Sequence, residues 1–122
     1  MKLINDFYSI VDETFSDGTY SCKVKMNPLH DLYKAHFPGN PVTPGVCLVQ
    51  MATEILEQKY SKKFLLSEAV NIKFRKTVGP NDEPTFVFTK VVFEENLLKT
   101  SVSIEDGEDQ YVKMSLIYKV SD

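Results

Sequence analysis

Several features that mark specialised classes of protein are scarce or missing in this chain of 122 residues. The two cysteines, Cys22 and Cys47, have neither CxxC spacing nor a histidine at metal-ligand spacing. No run of Lys and Arg is longer than two residues and the net charge is −3, which argues against a nucleic-acid surface. A glycine-rich nucleotide loop and a long apolar run are also missing.

Together these absences predict a protein with no metal, no cofactor, no nucleic-acid partner and no membrane span. The lack of a signal peptide adds the expectation of a cytoplasmic protein with reduced thiols. Cys47 falls in a predicted helix and is expected to be a small buried apolar residue rather than a nucleophile. A hydrophobic content of 43% and a charged content of 25% fit one globular domain spanning residues 1–122.

Strands are predicted mainly in the second half of the chain. The first ten residues fit a short helix or an extended segment, and Asp17-Gly18 is a turn signal. Alternating, β-branched residues predict a strand over Thr19–Met26, followed by a loop that extends to Thr43. Four further strands are predicted over 69–78, 85–94, 97–105 and 110–120.

One long helix is predicted between these strands. Thr43 is a suitable N-cap, Pro44 suits the first helical position, and the apolar pattern continues to about Tyr60. Apolar residues cover most of the helix circumference, as expected for a helix surrounded by a sheet. The remaining, less buried stripe comprises Gln50, Thr53, Glu54 and Glu57. One helix followed by four strands predicts an α+β fold with an antiparallel sheet curled around the helix.

The segment before this helix carries the strongest chemical signal. Its sequence is His36-Phe37-Pro38-Gly39-Asn40-Pro41-Val42-Thr43-Pro44-Gly45-Val46. Prolines and glycines fix its backbone, so the loop presents His36 to the amino end of the helix. An imidazole has a pKa of about 6.5 in reference peptides and can remove a proton beside a carbonyl, while helix amides stabilise the developing oxyanion. The other histidine, His30, is expected to cap the loop or pair with Asp31.

This segment resembles the signature of the β-hydroxyacyl-acyl-carrier-protein dehydratases through His36–Gly39, Pro41 and Pro44–Val46. Residues 72–82 resemble the strand and proline-containing turn that follow in that family. The resemblance implies a hotdog fold, in which a curved antiparallel sheet wraps a long central helix. It also implies dehydration of (3R)-hydroxyacyl thioesters to trans-2-enoyl thioesters in fatty acid or polyene-type lipid biosynthesis, on acyl carrier protein or coenzyme A.

The resemblance also implies roles for individual residues. His36 matches the histidine that abstracts the α-proton and helps the hydroxyl to leave, and Gly45 matches the glycine whose N–H polarises the thioester carbonyl. The predicted substrate contacts are Phe37, Pro38, Gly39, Val46 and Glu54, although a phenylalanine in the position of Phe37 is more often a packing anchor than a substrate contact. A cluster of Lys73, Arg75 and Lys76 is a candidate patch for an acidic carrier protein or an ordinary solvated strand face.

The sequence departs from the family at Gln50, fourteen residues after His36. The family has an acidic residue there, supplied by the other subunit because the site spans a dimer interface. A glutamine amide can hydrogen-bond a hydroxyl or a water, but it cannot deliver a proton as a carboxylic acid does. Glu54 lies one turn further, about 6 Å along the axis, and is either a displaced acid or a surface or interface charge.

Three interpretations of Gln50 follow. The chain is a dehydratase in which His36 makes both proton transfers and Gln50 places the hydroxyl, which is the preferred interpretation. Alternatively, it is a catalytically impaired hotdog subunit that needs a partner chain carrying the acid. In the third interpretation, it binds or hydrolyses acyl thioesters. A homodimer, an assembly of dimers and a heterodimer with a homologous subunit all remain compatible with the sequence.

Overall fold

The computed structural model describes residues 2–121, so Met1 and Asp122 at the two ends of the predicted domain lie outside the described residues. Within that range the chain forms six strands and two helices. In chain order they are β1 (Tyr8–Ser16), β2 (Thr19–Met26), α1 (Asp31–Ala35), α2 (Gly45–Tyr60), β3 (Lys63–Phe74), β4 (Thr85–Glu94), β5 (Leu97–Asp106) and β6 (Asp109–Ser121).

All six strands belong to one sheet in the order β1-β2-β4-β5-β6-β3. Every neighbouring pair is antiparallel, and register shifts at four of the five pairings let the sheet curve. Strands β1 and β3 form its two edges, and β3 returns beside β6 after α2. The predicted α+β fold is confirmed, with a curved antiparallel sheet and one long helix in the hotdog arrangement.

Helix α2 contributes one continuous stretch of the core. Its buried residues are Cys47, Leu48, Met51, Ala52, Thr53, Glu54, Ile55 and Leu56. The sheet contributes large buried aromatic side chains to the same core, among them Phe86, Phe88 and Tyr118. Burying a side chain of this size stabilises the fold by about 1.5–3 kcal/mol, so the apolar surface of α2 fixes the helix against the sheet. Between residues 2 and 121, no helix has the length and apolar character needed to cross a membrane.

The first strand was not among the predicted elements. Residues Tyr8–Ser16 form edge strand β1, whereas the sequence pattern predicted a short helix or an extended segment over residues 1–10. After Ile10 every side chain of β1 is exposed, so its sequence shows no apolar alternation. The turn at Asp17-Gly18 is confirmed and joins β1 to β2.

Other bounds differ by smaller amounts. The predicted strand over 69–78 instead occupies Lys63–Phe74, because only two residues separate it from α2. Most of its side chains are exposed, which removes the alternation that marks a strand start. The predicted loop before α2 contains the short helix α1. Strands β2 and β4 have the predicted bounds, β5 is one residue longer at its end, and β6 is one residue longer at each end.

The start of α2 also differs from the prediction. Pro44 is the N-cap and Gly45 the first helical residue, with no side-chain cap hydrogen bond. The Thr43 hydroxyl therefore does not cap the helix, and it lies instead 2.8 Å from the hydroxyl of Tyr33. That partner is ten residues away in sequence, so local capping rules did not reveal it.

Candidate active site

The loop that carries His36 begins at helix α1. His30 caps this helix, since its Nδ1 accepts a hydrogen bond from the Leu32 amide at 3.1 Å. Its Nε2 lies 3.3 Å from the carboxylate of Asp6. The predicted capping role is confirmed, but the acidic partner is Asp6 rather than Asp31. At the other end, the His36 N–H donates to the Leu32 carbonyl at 2.9 Å, which places His36 at the C-cap of α1.

A tight turn follows His36 directly. The Phe37 and Asn40 backbones exchange hydrogen bonds of 3.3 and 3.0 Å, and the peptide bond between His36 and Phe37 is cis. Gly39 has a φ of +77°, a left-handed conformation that glycine adopts without a Cβ penalty. The Val42 N–H then donates to the His36 carbonyl at 2.9 Å. The histidine backbone is therefore held from both sides.

A buried pair of hydroxyls connects this loop to the rest of the domain. Tyr33 and Thr43 lie 2.8 Å apart, and burial raises the pKa of the Tyr33 phenol. The Thr43 N–H donates to the Val78 carbonyl at 2.8 Å. These contacts fix the start of α2 against both α1 and the segment after β3.

His36 and Gly45 line the same cavity, whose volume is about 420 Å³. The other lining residues are Val42, Thr43, Pro44, Leu48, Phe74, Arg75, Lys76, Thr77 and Val78. The walls are mainly apolar, and Arg75 and Lys76 add positive charge. Such a cleft suits a largely apolar ligand that also carries negative charge.

The imidazole of His36 is partly buried and stacks on the exposed ring of Phe37, with ring centroids 4.0 Å apart. Its Nδ1 atom is buried and has no hydrogen-bond partner among residues 2–121. The other ring nitrogen, Nε2, is therefore the atom through which His36 can exchange a proton with a ligand. Gly45, in the first turn of α2, has an amide beyond the reach of the helix's own carbonyls, so that N–H can donate a hydrogen bond to an oxyanion.

Gln50 does not line this cavity in the same protomer. Its side-chain Nε2 donates to Glu54 Oε2 at 3.0 Å, one turn along the helix. This contact fixes the amide in one orientation on α2. Whether Gln50 acts on a substrate bound to a neighbouring subunit stays a prediction.

Glu54 was expected to be a displaced acid or a surface or interface charge, yet it is only 5% exposed. The Leu3 and Ile4 amides donate to its two oxygens at 2.7 and 2.8 Å, and the Tyr8 hydroxyl donates at 3.0 Å. The expectation of a less buried stripe was therefore wrong for Glu54, and also for Thr53, which is buried beside Tyr118. With all these donors, the Glu54 carboxylate anchors the N-terminal segment to α2.

The remaining predicted substrate contacts lie outside the cavity of the protomer. Phe37, Pro38, Gly39 and Val46 are all exposed, and none lines the space that His36 and Gly45 share. Their contact with substrate stays a prediction. Thr43, Leu48 and Val78 were not predicted as site residues, because apolar and capping roles account for such residues equally well.

The cysteines are both buried, as predicted for Cys47. Burial raises the pKa of the Cys22 thiol to about 12 and also raises that of Cys47, which disfavours the thiolate form at neutral pH. Within the described range, no three His, Cys, Asp or Glu side chains are grouped as ligands for a metal ion.

Comparison with known proteins identifies related dehydratases. The family model described as ApeI dehydratase (ApeI-like) matches residues 12–114. A 3-hydroxyacyl-[acyl-carrier-protein] dehydratase FabZ from Lactobacillus helveticus is 31% identical over 134 residues, covering 100% of this chain and 81% of that protein. The FabZ protein of Levilactobacillus brevis is 29% identical, with 99% and 90% covered.

Solved structures share the fold at lower identity. The dehydratase heterocomplex ApeI:P from Xenorhabdus doucetiae superposes with a TM-score of 0.71 at 14% identity, covering 93% of this chain and 96% of that one. A hypothetical thioesterase with coenzyme A from Streptococcus pneumoniae gives a TM-score of 0.67 at 17% identity, with 97% and 91% covered. The sheet wrapped around α2 thus defines a protein of the hotdog class. Within that class, the chain belongs to the ApeI-like dehydratase family.

Proposed function

We propose that this protein dehydrates (3R)-hydroxyacyl thioesters to trans-2-enoyl thioesters, without a metal or a cofactor. The observation that carries the proposal is the shared cavity of His36 and Gly45, in which a general base and a helix amide face one space. A dehydratase family and FabZ relatives support the same reaction. The product belongs to fatty acid or polyene-type lipid biosynthesis in the cytoplasm.

Both partial reactions use the same imidazole. His36 Nε2 removes a proton from C2 while the carbonyl oxygen gains negative charge, which the Gly45 N–H and the helix dipole stabilise. The electron pair then forms the C2–C3 double bond, and the C3–O bond breaks. The imidazolium returns its proton to the departing hydroxyl, so the products are an enoyl thioester and water. Gln50, supplied by a second subunit, hydrogen-bonds the hydroxyl and orients it.

The carrier group is anionic in either form, acyl carrier protein or coenzyme A. Arg75 and Lys76 line the cavity, and Lys73 lies just before them on β3. Lys76 is already paired with Asp109, with Nζ to Oδ2 at 2.9 Å. We infer that Arg75 makes the stronger contact with the carrier, because it has no competing carboxylate among the ion pairs of the described residues.

A dimer completes this site. Edge strand β3 exposes a row of apolar side chains that includes Leu65, Leu66 and Val70. An uncovered apolar edge of this length favours pairing with another strand. A second copy of the chain, or a homologous subunit, fits this edge.

The direct test is incubation of purified protein with 3-hydroxybutyryl thioesters of coenzyme A and of acyl carrier protein. We expect crotonyl thioester to form, and the reverse hydration to occur. His36→Ala should lower kcat by ~10²–10⁴, the usual contribution of a general acid–base group. His30→Ala is the histidine control, and because His30 caps α1 without lining the cavity, it should lower kcat far less than His36→Ala does. Equal turnover by wild type and His36→Ala would show the assignment of His36 to be wrong, and release of free thiol instead of enoyl product would indicate a thioesterase.

The presence of Gln50 favours one alternative function. In it, the chain is a subunit that is impaired alone and needs a homologous chain with an acidic residue. A solved hotdog dehydratase of similar fold is a heterocomplex, which supports this possibility. In that case the purified chain has no turnover until the partner is added. Co-expression with the acid-bearing homologue, followed by the same assay, separates the two candidates.

A further inference from the structure

Phe74 is placed where it can select the substrate. It is the last residue of β3 and pairs with Val112 on β6, so the sheet holds its backbone. Its side chain is 57% exposed, yet it lines the cavity of His36 and Gly45. A well-anchored backbone with a half-free ring lets a substitution reshape the cavity without disturbing the sheet.

The ring of Phe74 occupies the space that a side chain on Gly45 would need. A Cβ built on Gly45 would lie 2.8 Å from Phe74 Cζ and 3.0 Å from Cε1, whereas carbon atoms prefer separations of about 3.5–4.0 Å. Gly45 is not among the glycines with positive φ, so its backbone does not require glycine. The missing side chain therefore makes room for the ring.

This contact has a consequence at C2 of the substrate. A thioester carbonyl bound to the Gly45 N–H has its C2 atom one bond from the carbonyl carbon, within reach of the ring that covers Gly45. We propose that Phe74 determines specificity at C2, admitting a CH2 group and excluding a branched carbon. The inference rests on the proposed function, since it assumes that the carbonyl binds at Gly45.

The test compares a linear and a branched substrate, 3-hydroxybutyryl and 2-methyl-3-hydroxybutyryl thioesters, which both keep a removable proton on C2. Phe74→Ala should raise the kcat/KM ratio of branched to linear substrate by about tenfold or more, the usual effect of one methyl group in an apolar pocket. Phe15→Ala is the matched control, because Phe15 is 59% exposed on β1 and lies outside the cavity. A ratio unchanged in Phe74→Ala would overturn the inference.

The contact itself is tested by a double substitution. Gly45→Ala keeps the amide and suits a helix, but its Cβ pushes the Phe74 ring aside and should lower kcat/KM by about tenfold for the linear substrate. Adding Phe74→Ala removes the clash, so the double variant should match Phe74→Ala alone within about threefold. If the two single effects multiply instead, the ring and the glycine are not coupled and the inference fails.

A binding measurement that does not depend on turnover tests this inference separately from the proposed function. The chain has no tryptophan, so Phe74→Trp introduces a single fluorophore at the cavity. Crotonyl-coenzyme A should change its emission, and His36→Ala in the same background should leave that response in place. If wild type has no dehydratase activity, the proposed reaction is wrong. If, in addition, the emission of Phe74→Trp does not change on addition of crotonyl-coenzyme A, the inference about Phe74 is wrong as well. If wild type is active and only the substrate ratio is unaffected, the inference alone fails.

Discussion

The hydroxyls of Tyr33 and Thr43 lie 2.8 Å apart in the core, and this bond closes the loop that carries His36. Tyr33 belongs to α1 and Thr43 immediately precedes the start of α2, so the pair sets the distance between the histidine and the helix amides. Both side chains are buried, and a lost partner would leave a polar atom without a hydrogen bond.

Tyr33→Phe is therefore expected to lower stability and activity together. Removing the phenol oxygen orphans the Thr43 hydroxyl and should cost about 1–3 kcal/mol of unfolding free energy, measured by urea denaturation. A looser loop should also reduce kcat. Tyr118→Phe is the matched control, because Tyr118 makes a similar buried contact of 3.0 Å with Thr53, away from the loop. A similar loss of kcat in both variants would argue against a positioning role for Tyr33.

Glu54→Gln tests whether the buried carboxylate is structural or the missing acid. Glutamine offers one acceptor oxygen in place of two, so the Leu3 and Ile4 amides cannot both be satisfied. We expect a loss of about 1.5–3 kcal/mol in stability, as for hydrogen bonds to charged groups. At a temperature well below unfolding, kcat should change by less than about tenfold, whereas loss of a catalytic acid costs ~10² or more.

The control for Glu54→Gln is Glu57→Gln. Glu57 accepts one backbone hydrogen bond, from the Phe64 amide at 3.0 Å, so the loss of stability in Glu57→Gln should be smaller. A large fall in kcat confined to Glu54→Gln, with stability intact, would support the displaced-acid interpretation instead.

Stability should fall at high pH because of the buried tyrosines. Burial raises the pKa of Tyr118 to about 12, above the ordinary value of 10.0, and the Tyr8 pKa is raised in the same direction by burial and by Glu54. Between pH 10 and 12 the unfolded chain therefore holds fewer protons than the folded one, and stability decreases as pH rises. Tyrosinate absorbance and circular dichroism should change together, whereas ionisation well before unfolding would contradict the burial of these phenols.

Edge strand β3 is expected to form the subunit interface. Leu65 is 66% exposed on this edge, and a charge there should oppose strand pairing. Leu65→Lys should shift the protein toward monomer in sedimentation analysis and abolish activity at low protein concentration. Val11→Lys is the matched control, since Val11 is 52% exposed on the opposite edge strand β1. Dissociation by Val11→Lys alone would place the interface on the other edge.

The features that the sequence could predict are those set by residues close together in the chain. Strand β4 was predicted with its observed bounds because its early side chains alternate between core and surface. Strand β1 was not predicted because most of its side chains are exposed on both faces. The loop motif was enough to bring His36 and Gly45 to one cavity. The partners of Glu54 are amides about fifty residues away, and the contact of Phe74 with Gly45 depends on strand pairing. Neither of these two contacts produces a periodic pattern in the sequence from which it could be predicted.

Gln50→Glu is expected to raise activity, because its neighbour would hold the introduced carboxyl in its protonated form. Gln50 Nε2 lies 3.0 Å from Glu54 Oε2, so two carboxyl groups would share one proton there. Repulsion by the Glu54 carboxylate would raise the pKa of the introduced carboxyl, and a proton donor then remains available at neutral pH. We expect kcat to rise by ~10²-fold, with a new loss of activity as pH increases through the raised pKa.

The control for this change is Gln58→Glu, which adds the same charge to an exposed position of α2 and should leave kcat unaltered. Pre-steady-state measurement of enoyl formation separates the chemical step from product release. A fall in kcat in Gln50→Glu would show that the amide itself orients the hydroxyl, and His36 would then be the proton donor as well as the base. A rise in kcat without the new loss of activity at high pH would mean that the introduced carboxyl acts by charge and not as an acid.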